Sequence, residues 1–94
     1  MEKSVFTPEY EALRRTLVRL REGAGLTQRD LAKKMKRPRS FVSRIEQGER
    51  RVDLVEMWWL CRTCGSPFEA TVRKLSQAWH ELERAGRRQS RRAP

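Results

Sequence analysis

Histidine and cysteine are scarce in this 94-residue sequence, which contains one histidine and two cysteines. Cys61 and Cys64 form a single C-x-x-C pair. A structural zinc site needs four ligands, and His80 is the only histidine that could join the two cysteines, so one chain cannot supply a complete cysteine and histidine set. A redox dithiol is expected beside a βαβ pattern, which the sequence lacks. Both cysteines are therefore predicted to be small core residues, and no metal or cofactor is expected.

Long apolar runs and catalytic motifs are also missing. No stretch approaches the roughly 18 apolar residues of a transmembrane helix, and the opening MEKSVFTPEY lacks the apolar region of a signal peptide. There is no glycine-rich phosphate loop and no nucleophile motif. The sequence therefore predicts a cytoplasmic protein that is not an enzyme and has no membrane partner.

Acidic residues are few beside the basic ones, with 12 Asp and Glu against 22 Lys and Arg and a net charge of +10. Residues 33–51 carry a local charge of +6 and residues 84–94 a local charge of +5, so the rest of the chain carries −1. A solvated basic surface has the same composition. Two basic patches on a near-neutral scaffold nevertheless favour a polyanionic partner.

The periodicity of the chain is helical throughout, with no strand-like alternation. Thr7-Pro8 marks the start of one helix and Thr27 with Asp30 the start of another. These signals predict one all-α domain over residues 1–85, with five helices at roughly 8–23, 28–35, 39–47, 53–64 and 67–84. Residues 86–94 contain no large apolar side chain and are predicted to form a disordered, arginine-rich tail.

The fourth and fifth predicted helices are rich in apolar residues. In the fourth, Asp53 is a candidate N-cap, and the expected inward positions are Leu54, Met57, Leu60, Cys61 and Cys64. The adjacent Trp58 and Trp59 cannot both face inward easily, and aromatic side chains are favoured at interfaces. In the fifth, a stripe spaced four and three residues apart fits either the core of the domain or a dimer seam: Phe68, Val72, Leu75, Trp79 and Leu82.

Residues 27–48, TQRDLAKKMKRPRSFVSRIEQG, predict two short helices joined by a turn. Apolar positions on both helices are spaced to face the core: Leu31, Ala32, Met35, Val42 and Ile45. The other side of the second short helix is polar and basic. A helix with such an outer face fits the major groove of duplex DNA, which is about 12 Å wide.

Two segments, LREGAGLTQRDLAKKM and SFVSRIEQGER, closely resemble the helix-turn-helix domain of phage lambda-type repressors and the wider XRE family of bacterial regulators. The resemblance covers about residues 10–75, and GLTQRDLA and SFVSRIEQG are its most specific parts. It implies a compact lambda-repressor-like DNA-binding domain with helix three as the recognition helix. It also implies a homodimer bound to double-stranded DNA at a pseudo-palindromic operator.

Five side chains of the recognition helix are predicted to contact bases: Arg39, Ser40, Phe41, Ser43 and Arg44. A guanidinium can donate two hydrogen bonds to O6 and N7 of guanine, and a phenyl ring can contact a thymine methyl group. Two alternatives remain open. Either arginine can bind phosphate, and Phe41 can pack back against helix two.

Six residues at the start of helix two and after helix three are predicted to contact phosphates: Thr27, Gln28, Arg29, Gln47, Arg50 and Arg51. In the family, the glutamine matched by Gln28 caps helix two and binds a phosphate oxygen, and simple capping is the alternative. The family pattern also places Glu46 inside the domain, paired with Arg21. The alternative for Glu46 is a solvated position beside Arg50.

The turn between the two short helices departs from the family pattern, because Lys36 stands where a glycine is usual. A non-glycine residue in the left-handed region costs roughly 1–2 kcal/mol. Either Lys36 bears that strain, or Pro38 sets another turn geometry.

Two functions follow from the resemblance. The first is a sequence-specific transcriptional repressor, of bacterial or phage type and associated with the nucleoid. The second is an antitoxin, which represses its own operon and neutralises a toxin through another surface, such as Trp58 and Trp59 or Trp79.

Overall fold

The computed structural model describes the backbone of residues 7–92 and the side chains of residues 7–86. Within residues 7–92 it contains five helices and no strand: α1 (Pro8–Gly23), α2 (Gln28–Lys34), α3 (Arg39–Glu46), α4 (Leu54–Thr63) and α5 (Phe68–Arg92). The prediction of an all-α, five-helix domain is confirmed.

Helix α1 begins where the sequence combines a capping side chain with a proline. The Thr7 side chain accepts a hydrogen bond from the Tyr10 N–H, and Pro8 lies at the first position, where no donor is needed. Tyr10, Leu13 and Leu17 are buried along one side of the helix. Helix α1 packs against both α3 and α5 and so connects the two ends of the core.

Helices α2 and α3 pack against each other as the predicted pair of short helices. At the start of α2, the Asp30 N–H donates to the Thr27 hydroxyl, and the Thr27 N–H donates to the Asp30 carboxylate, each at 3.0 Å. Hydrogen bonding to Thr27 lowers the pKa of Asp30. The inner faces of the two helices bury Leu31, Ala32, Val42 and Ile45.

The turn between α2 and α3 places Lys36 at a φ of 57°. Lysine therefore adopts the left-handed conformation that a glycine usually supplies in this family. Of the two geometries open at this position, the structure has the strained one, at a cost of roughly 1–2 kcal/mol.

Helix α4 also begins with reciprocal capping. The Glu56 N–H donates to the Asp53 carboxylate at 2.7 Å, and the Asp53 N–H donates to the Glu56 carboxylate at 3.1 Å. Met57, Leu60 and Cys61 are buried on the inner side. The expectation that Leu54 faces inward is wrong, since Leu54 is 69% exposed. It lies in the first turn of α4, at the edge of the core.

Helix α5 packs across α1 and α4, with Leu75 buried at the contact. The indole N–H of Trp79 donates to the backbone oxygen of Glu9 at 2.8 Å, which joins α5 to the start of α1. The backbone remains helical to Arg92, past the predicted end at residue 84 and into the segment predicted to be disordered. Gly86 and Ser90 are the weaker helix formers there, and arginine, glutamine and alanine favour the helix. Residues 93 and 94 of the predicted tail lie outside the described residues.

The buried apolar side chains form one core to which all five helices contribute. The Val52 N–H donates to the Tyr10 hydroxyl at 2.8 Å, so the connection between α3 and α4 is tied to α1. Among the described residues, no helix is both long and apolar enough to cross a membrane.

Candidate nucleic-acid interface

The outer side of α3 carries a row of polar side chains at helical spacing, which we call the α3 face: Arg39, Ser40, Ser43, Arg44 and Gln47. Four are exposed, and Ser43 is half-buried, with its hydroxyl 3.4 Å from the Ser40 backbone oxygen. Within residues 7–86, neither Arg39 nor Arg44 takes part in an ion pair. Both guanidinium groups are therefore available to bases or phosphates.

Phe41 does not lie on the α3 face, and the prediction that it contacts bases is wrong. The residue is only 6% exposed and belongs to the hydrophobic core. The guanidinium carbons of Arg37 and Arg50 lie 4.7 and 4.8 Å from the centre of its ring. Phe41 is held by core packing and two cation–π contacts, because its ring points inward from the first turn of α3.

Arg50 was predicted to bind a phosphate, but its guanidinium is engaged within the protein. It donates to both carboxylate oxygens of Glu56 at 2.9 Å and to the backbone oxygen of Arg51 at 2.8 Å. The same side chain covers the Phe41 ring. The hydrogen bond to Arg50 lowers the pKa of Glu56, and the hydrogen bond to Glu56 raises the pKa of Arg50. Arg50 thus fixes the start of α4 to the end of α3.

A cleft of about 390 Å³ opens at the start of α2, lined by Arg21, Thr27, Gln28, Arg29 and Arg39. Four of these residues are predicted DNA contacts, so the fold gathers residues from two separate segments around one recess. Among the described residues, the lining holds three arginines and no acidic residue. Arg29 and Arg39 are exposed there, and such a recess can receive a phosphate group of nucleic acid.

Glu46 lies buried at the last position of α3, with 8% of the residue exposed. Its carboxylate accepts hydrogen bonds from Nε and Nη2 of Arg21 at 2.6 and 3.0 Å. The ion pair implied by the resemblance is present, and the alternative of a solvated Glu46 beside Arg50 does not describe this geometry. The hydrogen bond to Glu46 raises the pKa of Arg21, which keeps its guanidinium charged.

Gln28 joins the same cluster, because its side-chain amide N–H donates to Oε1 of Glu46 at 2.8 Å. The cap of α2 is made by Thr27 rather than by Gln28. The amide oxygen of Gln28 is left to other partners at the rim of the cleft. An oxygen cannot donate to a phosphate, and the phosphate contact predicted for Gln28 therefore requires the second N–H of its amide.

Arg51 and Gln47, the remaining predicted phosphate contacts, are both exposed. The Arg51 guanidinium lies 5.0 Å from the centre of the Tyr10 ring. Arg51 is therefore partly oriented by α1, whereas Gln47 lies at the end of the α3 face.

Three supporting residues were missed by the sequence analysis. Arg14 donates to the backbone oxygen of Glu46 at 2.6 Å and forms an ion pair with Glu11. Arg37 covers Phe41, and Glu56 both caps α4 and pairs with Arg50. The spacing Asp53-x-x-Glu56 was a readable capping signal. No local pattern could indicate the long-range role of Arg14, which contacts a residue 32 positions away.

The two cysteines are free thiols, with Cys61 buried and Cys64 half-buried. Burial raises the pKa of both thiols, which disfavours the thiolate form that reacts or binds metal. Among the described residues, no group of three or more histidine, cysteine or acidic side chains is placed to hold a metal ion.

Comparison with known proteins agrees with this geometry. A family model described as a helix-turn-helix domain matches residues 12–75. The solved structure of an XRE-family like protein from Pseudomonas syringae pv. tomato str. DC3000 is similar, with 41% sequence identity and a TM-score of 0.71 over 74% of this chain and 85% of that one. No curated protein is found to match. The chain therefore belongs to the XRE-type helix-turn-helix family of DNA-binding transcription regulators.

Proposed function

We propose that this protein is a sequence-specific repressor that binds double-stranded DNA as a dimer and reads the major groove with α3. The observation that carries this proposal is the α3 face, where two arginines that make no ion pair within residues 7–86 flank small hydroxyl side chains on one exposed side of a helix. A pseudo-palindromic operator would place one α3 helix in each half-site. Repression would follow because the bound dimer covers a promoter.

Base contacts are assigned to the α3 face. Arg39 and Arg44 can each donate two hydrogen bonds to a guanine, the commonest specific contact in the major groove. Ser40 and Ser43 have short hydroxyl side chains that reach a base edge only where the backbone comes close. The two arginines are therefore expected to supply most of the discrimination between bases.

Phosphate contacts are assigned to the cleft at the start of α2 and to the residues after α3. Thr27, Gln28 and Arg29 lie at the start of α2, where Gln28 contacts Glu46 at the end of α3, and Gln47 and Arg51 follow α3 in the chain. Contacts from both segments to the DNA backbone would fix the position and angle of α3 in the groove. Arg50 is left out of this set because its guanidinium is bound to Glu56.

The cluster around Glu46 supports the proposal by holding α3 in place. Arg21 and Arg14 come from α1 and Gln28 from the start of α2, and all three bind Glu46. A recognition helix needs a fixed orientation because a small rotation moves every side chain relative to the base edges.

Selection of bound duplexes from a randomised pool, at near-physiological salt, tests the proposal. We expect a palindromic motif with half-sites about one helical turn apart, 10–10.5 base pairs centre to centre. Enrichment by base composition alone, without a motif, would show that the basic surface binds phosphates and does not read sequence.

Arg39→Gln and Arg44→Gln, tested against the selected site and its single-base variants, separate base contacts from phosphate contacts. Loss of a bidentate contact should cost about 1–3 kcal/mol and relax the preference at one base pair of each half-site. Arg73→Gln is the matched control, since Arg73 is an exposed arginine on α5. Uniform weakening on all sequences would reassign the tested arginine to a phosphate.

A second candidate function is that of an antitoxin that also represses its own operon. The exposed apolar residues of α4 favour it, because they supply a surface for a protein that does not overlap the predicted DNA contacts. Co-expression with the protein encoded by the neighbouring gene tests this candidate. Growth inhibition by that protein alone, relieved by this chain, would support it, and a harmless neighbour would contradict it.

A further inference from the structure

One side of α4 exposes four large apolar side chains at helical spacing, which we call the α4 face. The exposed fractions of these residues are 69% for Leu54, 55% for Val55, 40% for Trp58 and 43% for Trp59. Their exposed area is on the order of 400 Å², as large as the largest apolar patch on a typical monomer. It is about half of the roughly 800 Å² that one partner buries in a standard interface.

The α4 face has no part in the core of the domain. The opposite side of α4 supplies the buried residues Met57, Leu60 and Cys61. Trp79, the other large hydrophobic residue that is exposed among the described residues, donates its indole N–H to Glu9. Within residues 7–86, the indole N–H groups of Trp58 and Trp59 make no such bond, so both are free to donate to a partner.

Cationic side chains border the α4 face. The Arg62 guanidinium lies 4.9 Å from the centre of the Trp58 ring. Beside Trp59, a cleft of about 380 Å³ is lined by Lys34, Met35, Trp59, Arg62 and Thr63. None of the described residues that line this cleft is acidic. The surface therefore combines tryptophan anchors with positive charge, a composition typical of binding hot spots.

The charge distribution indicates which kind of partner fits. A second copy placed on the α4 face would bring together two chains that each carry +10, and none of the described residues lining the cleft beside Trp59 carries a carboxylate that could offset that charge. A partner with apolar side chains flanked by carboxylates would match both the aromatic rings and the cations. An amphipathic helix presents such a pattern on one side.

We propose that the α4 face binds an acidic amphipathic helix of another protein. Apolar side chains of that helix pack on Trp58 and Trp59, and its carboxylates pair with Arg62 and Lys34. The site shares no residue with the α3 face or with the cleft at the start of α2. The proposal is thus independent of how the chain reads DNA.

The test is selection from a displayed library of 16-residue helices that have a fixed apolar stripe and randomised polar positions. The wild-type chain should enrich peptides with aspartate and glutamate beside the apolar stripe. Trp58→Ala should lower the affinity for the enriched peptides by about tenfold or more, as expected for a hot-spot tryptophan. Because Trp58 is 40% exposed, this variant should retain the fold, and its melting temperature checks that it does.

Charge reversal provides the matched comparison. Arg62→Glu with Lys34→Glu should shift the selected peptides from acidic to basic, whereas Arg73→Glu, on α5, should leave the acidic preference unchanged. Enrichment without an acidic bias, or binding unaffected by Trp58→Ala, would overturn the proposal. Sedimentation that shows self-association abolished by Trp58→Ala would also overturn it, since a second copy would then cover the face. Each of these results leaves the DNA selection experiment unaffected.

Discussion

Single residues around α3 carry two different kinds of constraint. Lys36 holds a backbone conformation that disfavours a side chain, with a φ of 57°. Glu46 holds a buried charge that is satisfied by Arg21 and Gln28. The positive φ of Lys36 lowers the stability of the fold relative to a glycine at that position. The buried charge of Glu46 makes the stability of the fold depend on each group that binds its carboxylate.

Lys36→Gly is expected to stabilise the protein by about 1 kcal/mol, because glycine adopts the left-handed region without strain. The free energy of unfolding from urea titration checks this value. Lys36→Ala removes the same charge but keeps the strain, and it should leave stability within about 0.5 kcal/mol of wild type. Equal stabilisation by glycine and alanine would assign the effect to the lost charge.

Glu46→Ala is expected to destabilise the protein by about 3 kcal/mol, because it leaves Arg21 with a largely buried and unpaired charge. DNA binding should weaken with it. Glu49→Ala is the control, since Glu49 is exposed and its removal changes the net charge equally. Urea titration of both variants should separate them clearly, and similar stabilities would refute a structural role for the Glu46 ion pair.

A few side chains near the helix ends hold neighbouring helices together, as between α3 and α4. Glu56 caps α4 and binds Arg50, which in turn covers Phe41 of α3. This arrangement couples the start of α4 to the recognition helix. The carboxylate of Glu56 must be ionised to serve both partners fully.

Glu56→Gln is expected to lower stability at neutral pH by about 1–2 kcal/mol. The pKa of Glu56 is lowered in the folded state by the hydrogen bond to Arg50. The contribution of ionised Glu56 to the free energy of unfolding is therefore complete above the pKa of about 4.3 that Glu has in the unfolded state. It disappears as the pH falls through the lower pKa of the folded state. Urea titrations between pH 7 and pH 2.5 should show the wild-type advantage shrinking below about pH 4.5, and a constant difference would contradict the assignment.

Other carboxylates contribute to acid sensitivity in the same direction. Hydrogen bonds from Arg14 and Arg15 lower the pKa of Glu11 to about 2. These groups titrate in both the wild type and Glu56→Gln, so their effect cancels in the difference between the two free energies of unfolding.

At the scale of the whole molecule, charge is distributed between a structured basic surface and the arginine-rich end of α5. Residues 87–94 contain four arginines and no acidic residue. If these arginines bind phosphates, they add affinity without adding base contacts.

Deletion of residues 87–94 is expected to flatten the dependence of log K on log salt by up to about 0.9 per arginine that contacts a phosphate. The preference for the selected operator over its single-base variants should be unchanged. Fluorescence anisotropy at several salt concentrations measures both quantities. Loss of the preference together with the tail would show that α3 is not the source of specificity.

The sequence by itself determined the helical class, the capped starts of α1 and α2 and the family. These features depend on neighbours three or four residues apart, whose spacing is written in the chain. The inward positions of Leu31 and Ala32 in α2 and of Val42 and Ile45 in α3 followed from the same periodicity.

Only the tertiary structure decided where the amphipathic side chains point. Phe41 is buried because its ring packs in the core, where Arg37 and Arg50 also contact it, and Arg50 is unavailable to phosphate because Glu56 binds its guanidinium. The α4 face is exposed because α4 packs its opposite side, with Met57, Leu60 and Cys61, against the core. Such outcomes depend on contacts between segments distant in sequence, which local spacing does not specify.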